Sequence, residues 1–320
     1  MGIHTKGSPL IRIAMLGLML GSLCYPLITV AEEPLKEPED NGEIFYDVNL
    51  GDDHYVAIKF LKEKHMVSGF SDGKFHVDDP INRVEALQIL AGVFPRVVPK
   101  KAPTIPTFAD VKDSDWFFGV VQNALKNRVV NGYPDKLFHP EKNLILAEAA
   151  KMMALQQNGE LPTTMEEAPY SDVPVDVWFA PYAQLFKDHG VVLETRQNSD
   201  FLPGKTVSRG EFSEMIYRLY LSQDNYQFGR ATFYADSLAG RGTSSGDTYQ
   251  PGVFTTAHKT LPFGTHLLVT NLANGKSIEV EVNDRGPYAN GVELDLSKSA
   301  FSAIAKTGIG IITTQFKILE

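Results

Sequence analysis

The hydrophobic pattern changes character along the chain. Residues 13–30 are apolar, interrupted only by small residues, Tyr25 and Pro26. Between 44 and 221, apolar positions recur at helical spacing; Val84, Leu87, Ile89, Leu90 and Val93, for example, mark one face of a helix. Beyond 229 the pattern becomes that of strands. Residues 231–235, 265–272, 277–282 and 311–319 are rich in Val, Ile, Thr, Leu and aromatics, and Asn274-Gly275 between the middle two predicts a hairpin. Residues 297–306 alternate like one short helix with Ser297 as its cap. About six strands over residues 229–320 predict a small closed barrel.

The helical part repeats itself. Phe75, Phe138 and Phe201 are 63 residues apart, as are Glu85, Glu148 and Glu211. Around them recur an Asp-Val pair (Asp47-Val48, Asp110-Val111, Asp172-Val173) and an aromatic residue (Tyr55, Trp116, Trp178). Each unit reads as helix, Gly/Pro/Asp loop, helix. Asn82 with Glu85 and Ser208 with Glu211 have the spacing of capping boxes, whereas unit two has Ile145 at the cap and predicts a weaker helix start. Trp116 and Trp178 are expected in the core.

Charge and cysteine usage refine this picture. The 320-residue chain has a net charge of −9 and no basic stripe, which argues against a nucleic-acid partner. From Arg230 onward basic and acidic residues balance, so the acidity lies in the N-terminal part. Lys6, Arg12, the apolar run and Thr29-Val30-Ala31 predict an export signal cut after Ala31, with an uncleaved membrane anchor as the other reading. Residues 32–43 read as an acidic spacer. The one cysteine, Cys24, falls inside the signal, preceded by Leu23 where a lipid-attachment site wants a small residue. A mature chain starting at 32 has no thiol chemistry. The eight histidines are scattered without a His-Glu-x-x-His spacing, and no glycine-rich phosphate loop stands out, so no metal or other cofactor is implied.

Two resemblances give these regions names. INRVE (81–85), LILAE (144–148), VSRGE (207–211), FADVKDSDWF (108–117) and NGYPDKLF (131–138) resemble the S-layer homology (SLH) repeat over about residues 44–221. The resemblance implies three repeats with pseudo-threefold symmetry, at 44–103, 104–166 and 167–221. It also implies grooves that bind an anionic secondary cell-wall polymer or modified peptidoglycan. By position Arg83 and Arg209 would pair with its carboxylates through their planar forks. The second unit has Leu146 there, so at most two grooves are expected to be competent.

After a polar link at 222–228, three runs resemble the rare lipoprotein A (RlpA) family: GRATFYADSLAGRGTSSGDTY (229–249), FTTAHKTLPFGTHLLVTNLANGKSIEVEVNDRGPY (254–288) and ELDLSKSAFSAIA (293–305). This implies a double-psi β-barrel, peptidoglycan glycan strands as substrate, and lytic transglycosylase chemistry that leaves a 1,6-anhydro ring. The fold class expected is thus multidomain, a helical repeat region followed by a six-stranded barrel with one short helix, in an exported, cell-envelope protein.

A glycosidic leaving oxygen needs a proton, usually from a carboxyl of raised pKa. Asp284, in Asn283-Asp284-Arg285-Gly286-Pro287, matches the family's acid and is expected to be the donor. His258 is expected to orient it or hold the sugar, unless it is a buried structural group. Asn283, Arg285 and Tyr249 are candidate sugar contacts, and Asp295 is expected to be structural before catalytic. The loop at 243–250 departs from the family pattern. Asp247, expected to serve the reaction beside Asp284 by orienting or stabilising, replaces a glutamate and is one methylene shorter, and Gln250 replaces an aspartate and carries no charge. The competing expectations are a barrel that grips glycan without cutting, as expansin-like barrels do, and a purely structural tether.

Overall fold

The computed structural model describes residues 44–97, 108–192, 200–289 and 291–319. The expected export signal at 1–31, with Cys24, and the expected spacer at 32–43 lie outside the described residues. Among the described residues no helix is long and apolar enough to cross a membrane.

Three helix pairs form the N-terminal half: α1 (Tyr55–Glu63) with α2 (Arg83–Val93), α3 (Phe118–Lys126) with α4 (Leu146–Gln157), and α5 (Ala180–Asp188) with α6 (Arg209–Leu221). They close into a ring. The second helix of each pair packs on the first helix of the next, α2 on α3, α4 on α5 and α6 on α1. At the centre three backbone hydrogen bonds run in a cycle: Ile81 N–H to Val207 O, Val207 N–H to Leu144 O, and Leu144 N–H to Ile81 O, each 3.0 Å. Their side chains are buried. The 63-residue register is the sequence trace of this cycle.

The repeated aspartates have a local cause. Asp47 accepts from the backbone N–H of Phe75 and His76, both at 2.7 Å. Asp110 accepts from Phe138 and His139 at 3.0 and 2.7 Å, and Asp172 from Phe201 and Leu202 at 2.6 and 2.8 Å. Each carboxylate satisfies loop donors that would otherwise be orphaned next to a buried phenylalanine. The capping boxes at Asn82/Glu85 and Ser208/Glu211 are complete. At Ile145 only the Glu148 half is present, at 3.5 Å, because an isoleucine side chain has nothing to accept with. The tryptophans depart from expectation. Trp116 is 66% and Trp178 54% exposed, because the adjacent Phe117 and Phe179 turn into the core in their place.

The C-terminal half is a closed barrel in the order β1-β5-β2-β4-β3-β6. Its strands are β1 (Gln227–Phe233), β2 (Thr255–Ala257), β3 (His266–Asn271), β4 (Ser277–Asp284), β5 (Leu294–Leu296) and β6 (Ile312–Ile318). β1/β5 and β2/β4 pair in parallel and the remaining neighbours are antiparallel. Leu267, Val269, Val280, Val282, Leu294 and Phe316 fill the interior. Helix α7 (Lys298–Ile304) buries Phe301 against it, its amide at Ala300 capped by Ser297.

The segment 222–228, read as a polar link, is not a free spacer. α6 runs into a single 3-10 turn at Ser222–Asp224, and β1 already starts at Gln227. Phe228 is buried in a cluster with Ala57, Tyr217, Leu221 and Leu272, and the Tyr217 hydroxyl donates to Gln315 of β6 at 2.5 Å. The helical ring and the barrel therefore share a packed junction. Gly190 marks it. The chain turns left-handed after α1, α3 and α5, at His65, Arg128 and Gly190. Only at Gly190 would a Cβ come within 3.1 Å of Phe228.

Candidate functional site

Asp284 ends β4, and local irregularity aims it. β2 and β4 pair Thr256 with Val282 but Ala257 with Asp284, so Asn283 is the extra residue of a bulge. A bulge bends the strand and re-aims the side chains that follow it. Four donors meet the Asp284 carboxylate. Oδ1 accepts from the Ser244 N–H at 2.8 Å, the Ser244 hydroxyl at 2.6 Å and the Arg285 N–H at 2.8 Å, and Oδ2 accepts from the Tyr234 hydroxyl at 2.8 Å. Partial burial opposes ionisation of Asp284. The hydrogen bonds from Ser244, Tyr234 and Arg285 outweigh it and hold the carboxyl below the ordinary aspartate range. The resting group is thus a carboxylate, not the acid with raised pKa that the chemistry of the leaving group predicts. Tyr234 stays a donor, since burial and the Asp284 charge push its hydroxyl well above the usual tyrosine range.

His258 follows β2 and is buried. Its Nδ1 accepts from the backbone N–H of Thr260 and Leu261 at 3.1 and 3.0 Å, which leaves the proton of the neutral ring on Nε2. Burial and the nearby Lys259 and Arg285 charges lower its pKa, so the ring is neutral. Its tie to Asp284 runs through the backbone, from the His258 N–H to the Asp284 carbonyl at 3.2 Å. His258 thus shapes the turn that carries the acid.

The other candidates divide. Arg285 lies over the exposed Phe263 ring at 3.8 Å and donates to the His258 carbonyl, so among the described residues no ion pair closes on the Asp284 carboxylate. Asp247 is exposed on the same loop as Ser244 and accepts from the Ser245 hydroxyl at 2.7 Å; Gln250 is also exposed. Asp295 accepts from Thr232 at 2.8 Å, a bond that ties β5 to β1. Two candidate sugar contacts are corrected. Tyr249 is only 4% exposed, packed 4.8 Å from the Tyr234 ring with its hydroxyl at the start of α7, and offers a sugar no face. Asn283 is 7% exposed, spent in the bulge, and its carbonyl anchors the loop through the Ser245 N–H.

Tyr234 and Ser244 were not legible as site residues in the sequence. Tyr234 stands just after a strand in an aromatic pair, and Ser244 is one hydroxyl among several in a polar loop. Only the closed barrel brings both onto one carboxylate.

In the helical ring the two expected arginines act on neighbouring units. Arg83 of unit one donates to the Asn131 carbonyl at 2.6 Å and lies over Tyr133 and Phe138 of unit two. Arg209 of unit three donates to Ser68 at 2.9 Å and lies over Phe70 and Phe75 of unit one. Both are buried, and burial lowers both pKa values. In each the buried Nε has no partner among the described residues. Arg83 borders a cavity of about 250 Å³ with Lys151, Tyr133 and the exposed Trp178. Leu146, the third equivalent, lines a cavity of about 280 Å³ beside Phe201.

Comparison with known proteins agrees with this division. A lytic transglycolase family model of the double-psi barrel type matches residues 226–316, and the S-layer homology domain model matches 107–150. Similar curated proteins include the probable endolytic peptidoglycan transglycosylases RlpA of Treponema pallidum and of a Nostoc species. The first is 48% identical over 83 residues, 26% of this chain and 26% of the relative; the second is 42% identical over 93 residues, 28% and 25%. The chain thus spans about a quarter of the length of these relatives. A Clavibacter michiganensis expansin solved in complex with cellohexaose is 24% identical, covering 30% of this chain and 50% of that one, with a TM-score of 0.26.

Proposed function

We propose that the protein is a peptidoglycan lytic transglycosylase of the cell envelope, whose helical ring grips wall polymer while the barrel cuts between N-acetylmuramic acid and N-acetylglucosamine. The observation that carries this reading is Asp284, a strand-end carboxylate gathered by four donors in a barrel similar to endolytic transglycosylases. The resting ionisation sets the order of events. A glycan laid over the site excludes water, which raises a carboxyl pKa, and displacing Ser244 removes two donors that favour the charged form. Asp284 then takes up a proton and gives it to the leaving oxygen as the glycosidic bond breaks. The carboxylate left behind accepts the proton of the sugar's 6-hydroxyl as that oxygen closes on the anomeric carbon. One carboxyl serves both transfers and no water is consumed. Asp247 and His258 support the loop and the turn around it. In the ring, the unpartnered Nε of Arg83, Lys151 and the Trp178 face suit an anionic saccharide, with the equivalent site at Arg209.

One observation favours a second reading, adhesion without cutting: the ionised Asp284 at rest cannot donate a proton. The test is digestion of purified sacculi followed by separation of muropeptides. Wild type is expected to release 1,6-anhydro products, and Asp284→Asn to lose about a thousandfold of that activity while still binding sacculi. No anhydro product from wild type, with undiminished binding, would leave only adhesion.

A further inference from the structure

The three grooves of the ring repeat in backbone but not in charge. The Arg83 N–H donates to the Lys142 carbonyl at 3.0 Å; the same bond joins Leu146 to Lys205 and Arg209 to Asp79, both at 2.9 Å. Each groove therefore brings the same positions together, 63 residues apart in sequence. The two grooves with an arginine also share a glutamate and a tryptophan. Burial lowers both arginine pKa values; Tyr133 and Glu148 oppose it at Arg83, and Glu85 opposes it at Arg209, which sets one carboxylate beside each guanidinium. Trp178 lines the cavity at Arg83, and Trp116 keeps the same edge contact with its neighbouring phenylalanine, 5.4 Å, one unit earlier.

Two positions differ. Lys142 pairs with Glu148 at 2.8 Å and offsets its charge; in the Arg209 groove Asp79 takes its place and adds to the charge of Glu85, with His76 3.1 Å away. Lys151 lines the cavity at Arg83, its ammonium 5.5 Å over the Trp178 ring and without an ion-pair partner among the described residues; Gln88 takes its place at Arg209. The first groove thus sets three cations, Arg83, Lys142 and Lys151, against Glu148, and the second sets Arg209 against Asp79 and Glu85. In the third, Leu146 replaces the arginine and Glu214 replaces Lys151, its carboxylate held by Arg218 and His54. Charges closer to a bound ion than the Debye length, about 8 Å at physiological salt, act on it with little screening.

We propose that Lys151 is a specificity-determining residue that makes the Arg83 groove the ring's principal site for a saccharide carboxylate. Arg83 supplies a buried guanidinium, Lys151 a partly exposed ammonium and Trp178 a face for the sugar ring. The Arg209 groove takes the same ligand more weakly, because its two carboxylates repel it. This rests on reading the ring as a grip for wall polymer, and it makes that grip one-sided.

The chain has two tryptophans, one for each of these grooves. In the full chain carrying Asp284→Asn, Trp116→Phe leaves Trp178 as the fluorescent reporter at Arg83, and Trp178→Phe leaves Trp116 as the reporter at Arg209. The probes are N-acetylmuramic acid, whose lactyl group carries a carboxylate, and N-acetylglucosamine, the same sugar without it. N-acetylmuramic acid is expected to bind about tenfold more tightly at the Trp178 reporter than at Trp116, and N-acetylglucosamine to differ by no more than about twofold. Lys151→Gln should weaken the Trp178 site for N-acetylmuramic acid about fivefold, Lys151→Arg should leave it within about twofold, and Gln88→Lys should tighten the Trp116 site about fivefold. An unchanged melting temperature verifies folding of each variant. Equal binding of N-acetylmuramic acid at both reporters, or no effect of Lys151→Gln, would overturn the proposal and leave the grip on the wall standing; silence of both reporters to both sugars would sink the grip as well. Pull-down on sacculi, before and after hydrofluoric acid removes attached polymers, locates the carboxylate. A Lys151→Gln loss that vanishes on removal assigns it to the attached polymer, a loss that persists assigns it to the glycan strand, and no loss on either overturns the proposal.

Discussion

The helical ring and the barrel use repetition in opposite ways. In the ring, every feature that matters occurs in register, and each copy completes its neighbour: Arg83 serves the loop of unit two, and Arg209 that of unit one. In the barrel, the site lies where regularity fails. A bulge at Asn283, a loop folded over through Ser244 and a turn after β2 converge on one residue, Asp284, the first two at its side chain and the turn at its backbone carbonyl. The ring carries arginine at two of its three equivalent positions and Leu146 at the third, whereas in the barrel the four donors gather on the single carboxylate of Asp284.

The largest expected effect probes the contact between the two regions. Glu214 of α6 bridges Arg218 and His54, and Arg218 lies over Phe228 of β1. Although burial opposes its ionisation, the Arg218 charge and the His54 partner hold Glu214 down at about 2. Glu214→Gln leaves the buried Arg218 charge unpaired, and denaturant unfolding should record a loss of about 3 kcal/mol. In wild type the contribution of Glu214 is whole above the ordinary glutamate range and is lost as pH falls toward 2. That of His54, whose pKa is raised despite burial by its Glu214 bond, is whole below the ordinary histidine value and lost as pH rises through the raised one.

Next in size is a test of the repeat itself. Asp47→Ala, Asp110→Ala and Asp172→Ala each orphan two loop N–H groups, and each should cost about 2 kcal/mol in thermal or denaturant unfolding. A single copy that dominates would break the picture of three equivalent units.

A smaller effect sharpens the barrel side. Ser244→Ala removes the hydroxyl donor to Asp284, so the carboxyl pKa rises. If the protonated form drives cleavage, the alkaline limb of the pH–rate profile should move to higher pH; a fall in rate at every pH with an unmoved limb would assign Ser244 to loop structure only. The smallest change in stability belongs to Trp178→Ala. At 54% exposure it should shift stability by about 0.5 kcal/mol or less, yet weaken binding to wall polymer in a sacculus pull-down.

Much of this was legible in the sequence because it depends on local period. The three units follow from the spacing of Phe75, Phe138 and Phe201, and the hairpin from Asn274-Gly275. The helix starts follow from Asn82 and Ser208, whose side chains reach only three residues. The three-residue strands β2 and β5 carry too short a pattern to read. The tryptophans misled because hydrophobicity says that a residue prefers burial, not which of two adjacent aromatics wins it. Tyr249 and Asn283 misled because nearness in sequence to an acid does not give the direction of a side chain.

The sequence by itself determined the two kinds of architecture, the threefold register and Asp284 as the residue to test, since periodicity and short-range chemistry are written along one chain. Only the tertiary structure decided that Asp284 rests as a carboxylate, that Tyr234 and Ser244 hold it, and that ring and barrel meet in a packed junction. Ionisation depends on every donor and dipole within a few ångströms, and those arrive here from strands and loops as many as 50 residues apart.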